Sequence, residues 1–316
     1  MNYINVKGYK NGKEIQIKCS KLVLGASDFL KIENMDFAAP VLDKFIELGG
    51  NTFDTARQYR HSEKALAEWM GMRNNRNNIV ILTKGCHPTR EEPKKPRVTP
   101  MGITEDLIVS LETLKTDHVE LYALHRDDES VEVGPIMETL NEHIRSGKIY
   151  AIGASNWELP RIIEANKYAK ENGLIGFTFN SPNLSLAKCK KPRWEGCVSA
   201  DSEMVSWHEK TGLPLFSWSA QAGGFFSGRF TRENKEDQEM VDVVYNYENW
   251  KRYDRAVKTA EEKGLTPIQT ALAYVLNQKF PAAAVIGPEN IDELISSYNG
   301  SMVSLSQEEV NWLDLK

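Results

Sequence analysis

Little in these 316 residues points toward a membrane or a nucleic acid. No apolar run approaches the roughly 18 residues that a bilayer-spanning helix needs, and the N-terminal stretch MNYINVKGYKNGKEIQ lacks the apolar core of a secretory signal. Cysteine is scarce: Cys19, Cys86, Cys189 and Cys197 form no CxxC pair, which suits a reduced, cytoplasmic protein. The six histidines show no HExxH or similar ligand spacing, so no metal site is expected. An excess of one charge is missing too. Acidic residues number 44 and basic ones 39, intermixed, with a formal net charge of -5, which leaves no electrostatic footprint for nucleic acid or anionic lipid. Nor does a GxGxxG turn follow an early strand candidate, as it commonly does in a doubly wound dinucleotide-binding sheet; the nearest match, Gly223 to Gly228, falls late in the chain. What remains is 41% hydrophobic and 26% charged, enough for a sizeable core, and the expected partner is a small molecule.

The chain alternates short β-rich runs with longer helical patterns. Strand candidates are Leu22–Leu24, Asn51–Phe53, Ile79–Leu82, Val119–Leu124, Ala151–Gly153, Phe177–Phe179, Leu215–Ser217 and Ala284–Ile286. Between them, helical spacing joins Phe37, Val41, Leu42 and Phe45; Ala65, Leu66 and Trp69; Leu107, Ile108, Leu111 and Leu114; and Ile136, Leu140 and Ile144. Thr266 with Gln269, and Ser306 with Glu309, read as capping boxes opening helices. Eight β/α units in this length suit an α/β fold of the (β/α)8 TIM-barrel type, in one domain over 1–316, better than an open doubly wound sheet, the alternative architecture. A hairpin around Asn11-Gly12 precedes the barrel and a C-terminal appended helix follows it. Three long connections, 86–100, 181–199 and 227–247, each follow a strand and therefore roof the face where barrel active sites lie.

Polar residues gather at that face. Asp54, Lys84 and His125 stand at the ends of strands two, three and four, and Tyr59 lies five residues past Asp54. Singly they read as an N-cap, a solvated strand end, a hydrogen-bonded histidine and a loop tyrosine. Jointly they must share one mouth and perturb one another's ionisation. A phenol, with an ordinary pKa of about 10, becomes a usable acid when an ammonium lies beside it. An aspartate can orient that ammonium, and a histidine can position a carbonyl oxygen. The constellation reads as a proton relay. His125-Arg126-Asp127 also matches a kinase HRD, but no glycine-rich loop or DFG accompanies it.

The segment from Gly50 through Asp54 and Thr55 to Tyr59, then Leu82-Thr83-Lys84, Leu124-His125, Gly153-Ala154-Ser155-Asn156, Trp218 to Gln221 with Gly224 and Gly228, and Val285 to Pro288 together resemble the aldo-keto reductase superfamily over almost the whole chain. The resemblance implies a (β/α)8 barrel that binds NADP(H), or less often NAD(H), across its mouth without a Rossmann fold. It implies Asp54, Tyr59, Lys84 and His125 as catalytic residues, with Tyr59 exchanging the proton. It also implies cofactor contacts from Ala26, Ser27, Asp54, Ser155, Asn156, Ser181, Trp218, Ser219, Ala220, Gln221, Gly224, Ile286, Gly287, Pro288, Glu289, Glu293 and Ser297. Ser155 and Asn156 would meet the nicotinamide carboxamide; their other reading is a helix N-cap ahead of Pro160.

Two departures from the family pattern matter. Ser181 and Leu184 stand where the family often has a glutamine and a stacking aromatic, so Trp218 becomes the candidate for the nicotinamide face. Glu289 stands where NADP-preferring relatives commonly carry a cation, which favours NAD(H) with NADP(H) as the alternative. Phe29, Tyr59, His125, Arg126, Asp127 and Trp157 are the candidate substrate contacts, Phe29 and Trp157 as apolar walls or rim packing, Arg126 and Asp127 as polyol ligands or a charged surface turn. The expected reaction interconverts a carbonyl, sugar- or polyol-derived in the favoured reading, and an alcohol. A non-catalytic nicotinamide-binding regulatory subunit and a metal-dependent barrel hydrolase are the rival readings.

Overall fold

A two-stranded antiparallel hairpin opens the chain, β1 (Tyr3–Lys10) and β2 (Lys13–Ser20), paired from Tyr3 with Ser20 to Lys10 with Lys13. Its tight turn needs two consecutive left-handed residues, and Asn11 (φ 52) and Gly12 (φ 73) supply them. The computed structural model describes residues 1–27, 29–59, 61–89, 91–93 and 95–316. Arg90 and Lys94 of the expected 86–100 connection lie outside the described residues.

The hairpin is followed by eight parallel strands: β3 (Leu22–Gly25), β4 (Thr52–Asp54), β5 (Val80–Gly85), β6 (Val119–Leu124), β7 (Ile149–Ser155), β8 (Phe179–Ser181), β9 (Leu215–Ser217) and β10 (Ala282–Ile286). They close in sequence order, β10 pairing with both β9 and β3, so the TIM barrel is complete. Side chains alternate across a strand with period two, and the two resulting cores are distinct. Val23, Leu82, Leu121, Ala123, Ala151, Phe179, Phe216 and Ala283 fill the barrel together with Ile4, Val6, Ile17 and Cys19 of the hairpin, which thereby seals the end at which the strands begin. The outward set packs under the helices; Phe53, for example, lies 5.3 Å from the rings of both Phe45 and Trp69.

The helices are α1 (Met35–Glu47), α2 (Ser62–Arg73), α3 (Pro100–Leu114), α4 (Val133–Arg145), α5 (Leu159–Glu171), α6 (Ser202–Thr211), α7 (Gln238–Val243), α8 (Tyr247–Lys263), α9 (Pro267–Leu276), α10 (Ile291–Ser301) and the appended α11 (Gln307–Leu313). Both expected capping boxes form, Thr266 with Gln269 and Ser306 with Glu309. Three expectations need correction. Phe37 and Ile108 do not cover the sheet but are exposed, since Ala38, Val41, Leu42 and Phe45, and Ile103, Leu107, Leu111 and Leu114, already complete the buried faces of their helices. The sixth barrel strand is Phe179–Ser181 rather than 177–179. Finally, α7 and α8 are additional to the eight-fold repeat. No described helix is long and apolar enough to cross a membrane.

His208, fully buried on α6, ties that helix to β8: its Nδ1 donates to the Leu213 carbonyl (2.8 Å) and its Nε2 faces the Asn180 amide nitrogen (3.2 Å). Burial pulls its pKa down from 6.5 to about 4. Between those values the unfolded chain holds a proton that the folded chain refuses, so stability falls as pH drops from about 6.5 toward 4 and then levels off. His208 is expected to contribute a loss of about 2 kcal/mol between about pH 6.5 and 4.5. Urea denaturation at both pH values checks this: His208→Asn should lose less over that interval than the wild type, and an equal loss would remove His208 as the cause.

Candidate active site

The alternation that fills the barrel also delivers its polar mouth. Asp54 follows inward Thr52 by two residues, Lys84 follows Leu82, His125 follows Ala123, Ser181 follows Phe179 and Trp218 follows Phe216. Each therefore points toward the axis at the C-terminal end of its strand, one layer above the apolar filling. Tyr59 reaches the same place from a 3-10 turn, Arg57–Tyr59, that β4 leads into.

Lys84 Nζ donates to Asp54 Oδ2 at 2.6 Å and to the Thr55 carbonyl at 3.0 Å, with both charged side chains almost wholly buried. The ammonium lies 5.4 Å from the centroid of the Tyr59 ring. The His125 ring meets Tyr59 edge-on at 5.6 Å, and His87 meets His125 in turn at 5.0 Å. The structure thus brings together all four residues of the expected relay and adds a fifth, His87. Burial pushes the Asp54 carboxyl up while the adjoining Lys84 ammonium pulls it back. Burial also drives His125 well below its ordinary range, and the charges of Lys84 and Arg126 deepen the effect. His125 is consequently a neutral imidazole near pH 7, and its buried Nδ1 has no partner among the described residues. His87 is lowered as well, chiefly by burial, and its Nδ1 donates to the Pro88 carbonyl (2.8 Å).

The residues expected at the cofactor ring the same mouth. Ala26, buried at the end of β3, donates its N–H to the Asp54 carbonyl (2.9 Å), and Ser27 beside it is exposed. Ser155 Oγ donates to the Ser181 carbonyl (2.9 Å), whereas the buried Ser181 Oγ has no partner among the described residues. Asn156, in the left-handed region at φ 60, uses its whole carboxamide: Oδ1 accepts from Val198 N and Trp218 Nε1 (both 3.1 Å), and Nδ2 donates to the His125 carbonyl and Ser155 Oγ (both 3.2 Å). It does not cap a helix; Glu158 holds that position for α5. Leu184 is sealed in the core, and Trp218 stands at the mouth with Trp194 5.8 Å away. Beyond Ser219, Ala220 and Gln221, the backbone turns through Ala222, Gly223 and Gly224, all with positive φ. A β-carbon on Gly223 would stand 2.8 Å from an Arg193 guanidinium nitrogen, and one on Gly224 3.1 Å from Arg229, so two cations lie against that turn. At the end of β10, Ile286 and Pro288 are buried, Gly287 and Glu289 exposed, and Glu293 on α10 accepts from the Glu289 backbone (2.9 Å), with buried Ser297 one turn on.

The expected substrate contacts divide. Phe29, at the first βα loop, is half-buried beside the mouth. Trp157 is corrected: with no exposed surface, its ring packs edge-on against Phe177 at 5.3 Å and its Nε1 donates to the Arg126 carbonyl, so it supports the rim from behind rather than lining a pocket. Asp127 is bound by Arg161 (3.1 Å), and Arg126 donates to the carbonyls of His125 and Glu195 and to Cys197 Sγ. The bonds to Glu195 and Cys197 make Arg126 a brace that fastens the 181–199 connection over the mouth, while Asp127 is tied to α5 through Arg161. Sequence reasoning missed His87, Arg57, Arg193 and Arg229, all in loops without periodic spacing; only the position of His87 three residues beyond Lys84 carried a signal.

Comparison with known proteins agrees with this geometry. Residues 21–316 match the aldo/keto reductase family. The chain is 30% identical to norsolorinic acid reductase B of Aspergillus parasiticus over 94% of its own length and 81% of that protein's. It is 25% identical to the uncharacterized oxidoreductase YrpG of Bacillus subtilis, over 94% and 92% respectively. An aryl-alcohol dehydrogenase of Pestalotiopsis microspora is 25% identical over 88% of this chain and 72% of its own.

Proposed function

This chain belongs to the aldo/keto reductase family, and from that premise we propose that it interconverts a carbonyl and an alcohol with Tyr59 as general acid and base. The observation that carries the reading is the buried Lys84–Asp54 pair set under the Tyr59 ring with neutral His125 at its edge. In the reducing direction Tyr59 gives its hydroxyl proton to the carbonyl oxygen. Lys84 stabilises the phenolate that results, Asp54 holds Lys84 in place, and a ring N–H of His125 donates to the same oxygen. In the oxidising direction Tyr59 takes the proton back. An intact relay argues against a purely regulatory subunit.

Family members use nicotinamide cofactors, usually NADP. The mouth suits one: Ser181 Oγ is buried without a partner among the described residues, and the Gly223–Gly224 turn sits against two guanidinium groups. Asn156 has no spare donor or acceptor, so to hold a carboxamide it must release a partner, and its side-chain partners are Trp218 Nε1 and Ser155 Oγ. When bound, the nicotinamide supplies or accepts the hydride. Ser155, Asn156, Ser181 and Trp218 would hold its ring end, and the turn through Gly224 its phosphates.

The adenosine end favours NAD(H). From Gly287 to Ser301 the chain carries Glu289, Asp292 and Glu293 and no lysine or arginine, a surrounding that repels a 2′-phosphate. NADH is expected to bind at least about tenfold more tightly than NADPH, a difference near 1.4 kcal/mol, and Glu289→Arg should narrow or reverse the gap. Fluorescence titration with both cofactors decides the matter; tighter NADPH binding by the wild type would refute the role of Glu289. Turnover of a panel of sugars and aldehydes with the better cofactor tests the reaction itself. A sugar- or polyol-derived carbonyl is the favoured substrate because the opening beside His87 is polar, with Gln58 and Thr89 in its wall. An aryl aldehyde belongs in the panel through the relative named for aryl alcohols.

A further inference from the structure

Beside the relay lies a cleft of about 230 Å³. Two of its walls belong to the relay's immediate surroundings. His87 lines it and also packs against His125. Arg57 and Gln58 line it and immediately precede Tyr59 in the same 3-10 turn, so Arg57 stands about 4 Å along the turn axis from the tyrosine. A substrate whose carbonyl reaches Tyr59 can therefore extend a substituent into this cleft.

The cleft's charges are unequally engaged. Arg97 forms a salt bridge with Asp106 Oδ1 (3.0 Å), whose other oxygen accepts from Cys86 N (2.8 Å), so both charges are satisfied by the fold. Glu91, also in the wall, already has a partner. Arg57 differs. Among the described residues its buried Nε has no hydrogen-bond partner and no salt bridge joins it to a carboxylate. An arginine at a cleft with its Nε unused and no carboxylate of the fold paired to it is suited to a planar anion.

Building on the carbonyl-reductase reading above, we propose that this cleft is the substrate's acidic subsite, in which Arg57 binds a carboxylate carried by the carbonyl compound while Gln58 and Thr89 meet its neighbouring hydroxyls. Glu63, whose charge Arg57 feels, forms no salt bridge with it and is pushed toward its neutral form by burial, while Asp106 of the cleft wall is held by Arg97. A carboxylate fits better than a phosphate: a dianion calls for a second cation, and Arg97 is already taken by Asp106.

The test compares matched pairs, D-glucuronate with D-glucose and 4-carboxybenzaldehyde with benzaldehyde, in the wild type, Arg57→Gln and Arg57→Lys. The wild type should favour the acidic member by at least about tenfold in kcat/KM, a ratio that should collapse to within about threefold in Arg57→Gln and persist in part in Arg57→Lys, which keeps the charge without the fork. A wild type with no acidic preference, a ratio indifferent to Arg57→Gln, or a stronger preference for glyceraldehyde 3-phosphate over both acids would overturn the proposal. Calorimetric titration with glutarate needs no turnover: binding by the wild type that is lost in Arg57→Gln supports the subsite, and no binding counts against it. The two readings fail separately. Turnover of neutral carbonyls without acidic preference sinks the subsite alone, whereas glutarate binding in a protein that neither binds nicotinamide nor turns over sinks the reductase reading alone.

Discussion

Tyr59→Phe is expected to lower kcat by about a thousandfold, close to 4 kcal/mol of transition-state stabilisation, while cofactor affinity stays within about twofold. The substitution removes one oxygen and keeps the ring that packs against His125 and the Lys84 ammonium, so the mouth should retain its shape. What disappears is the proton that neutralises the developing alkoxide. His125 cannot replace it, because burial and the neighbouring positive charges hold the imidazole neutral and it can only share a hydrogen bond. Single-turnover kinetics with the better cofactor would show the loss in the chemical step. Unchanged turnover, or lost cofactor binding with turnover intact, would remove Tyr59 from the role.

Lys84→Met should be damaging twice over. Turnover should fall by a similar factor of about a thousand, since nothing else described beneath Tyr59 stabilises a phenolate. Stability should fall by about 3–5 kcal/mol as well, because Asp54 remains buried with no cation at 2.6 Å to balance it. The two losses separate by pH. Without Lys84 the Asp54 carboxyl rises further above its unfolded value, so the folded variant takes up a proton as pH falls and its stability deficit shrinks from pH 7 toward 5. Turnover should not recover. Urea denaturation across that range, together with Asp54→Asn/Lys84→Met, checks the assignment. The double variant should regain much of the lost stability, and a single variant as stable as the wild type would show that the pair contributes nothing net.

The elements that were legible in the sequence are those where one local rule acts alone. The barrel strands show as apolar runs because they are covered on both faces, the hairpin shows in Asn11-Gly12 because few pairs tolerate two left-handed residues, and two helices announce themselves through reciprocal caps. The relay was legible through the same period of two that fills the barrel, with Asp54, Lys84 and His125 each one step beyond an inward residue. Helix α8 was not. Its buried face combines Trp250, Ala256 and Ala260 with Asn249 and Arg252, and the asparagine is buried by bonding Lys188 and Val244 rather than by being apolar, so no clean 3.6-residue pattern survives. Trp157 was misplaced for a related reason: a large aromatic near a site looks the same in sequence whether it faces the ligand or props the loop behind it. Arg57 and His87 depend on loop conformation, which spacing does not encode.

The floor hairpin has a consequence for traffic. With Ile4, Val6, Ile17 and Cys19 closing one end and side chains filling the middle, the described residues make the barrel a vessel open at its mouth. Anything that reaches Lys84 or His125, whether cofactor, substrate or water, comes and goes by the same opening. Two ligands seated one above the other in such a vessel form a queue: the deeper one enters first and leaves last, and release of the upper one sets when the lower can be exchanged.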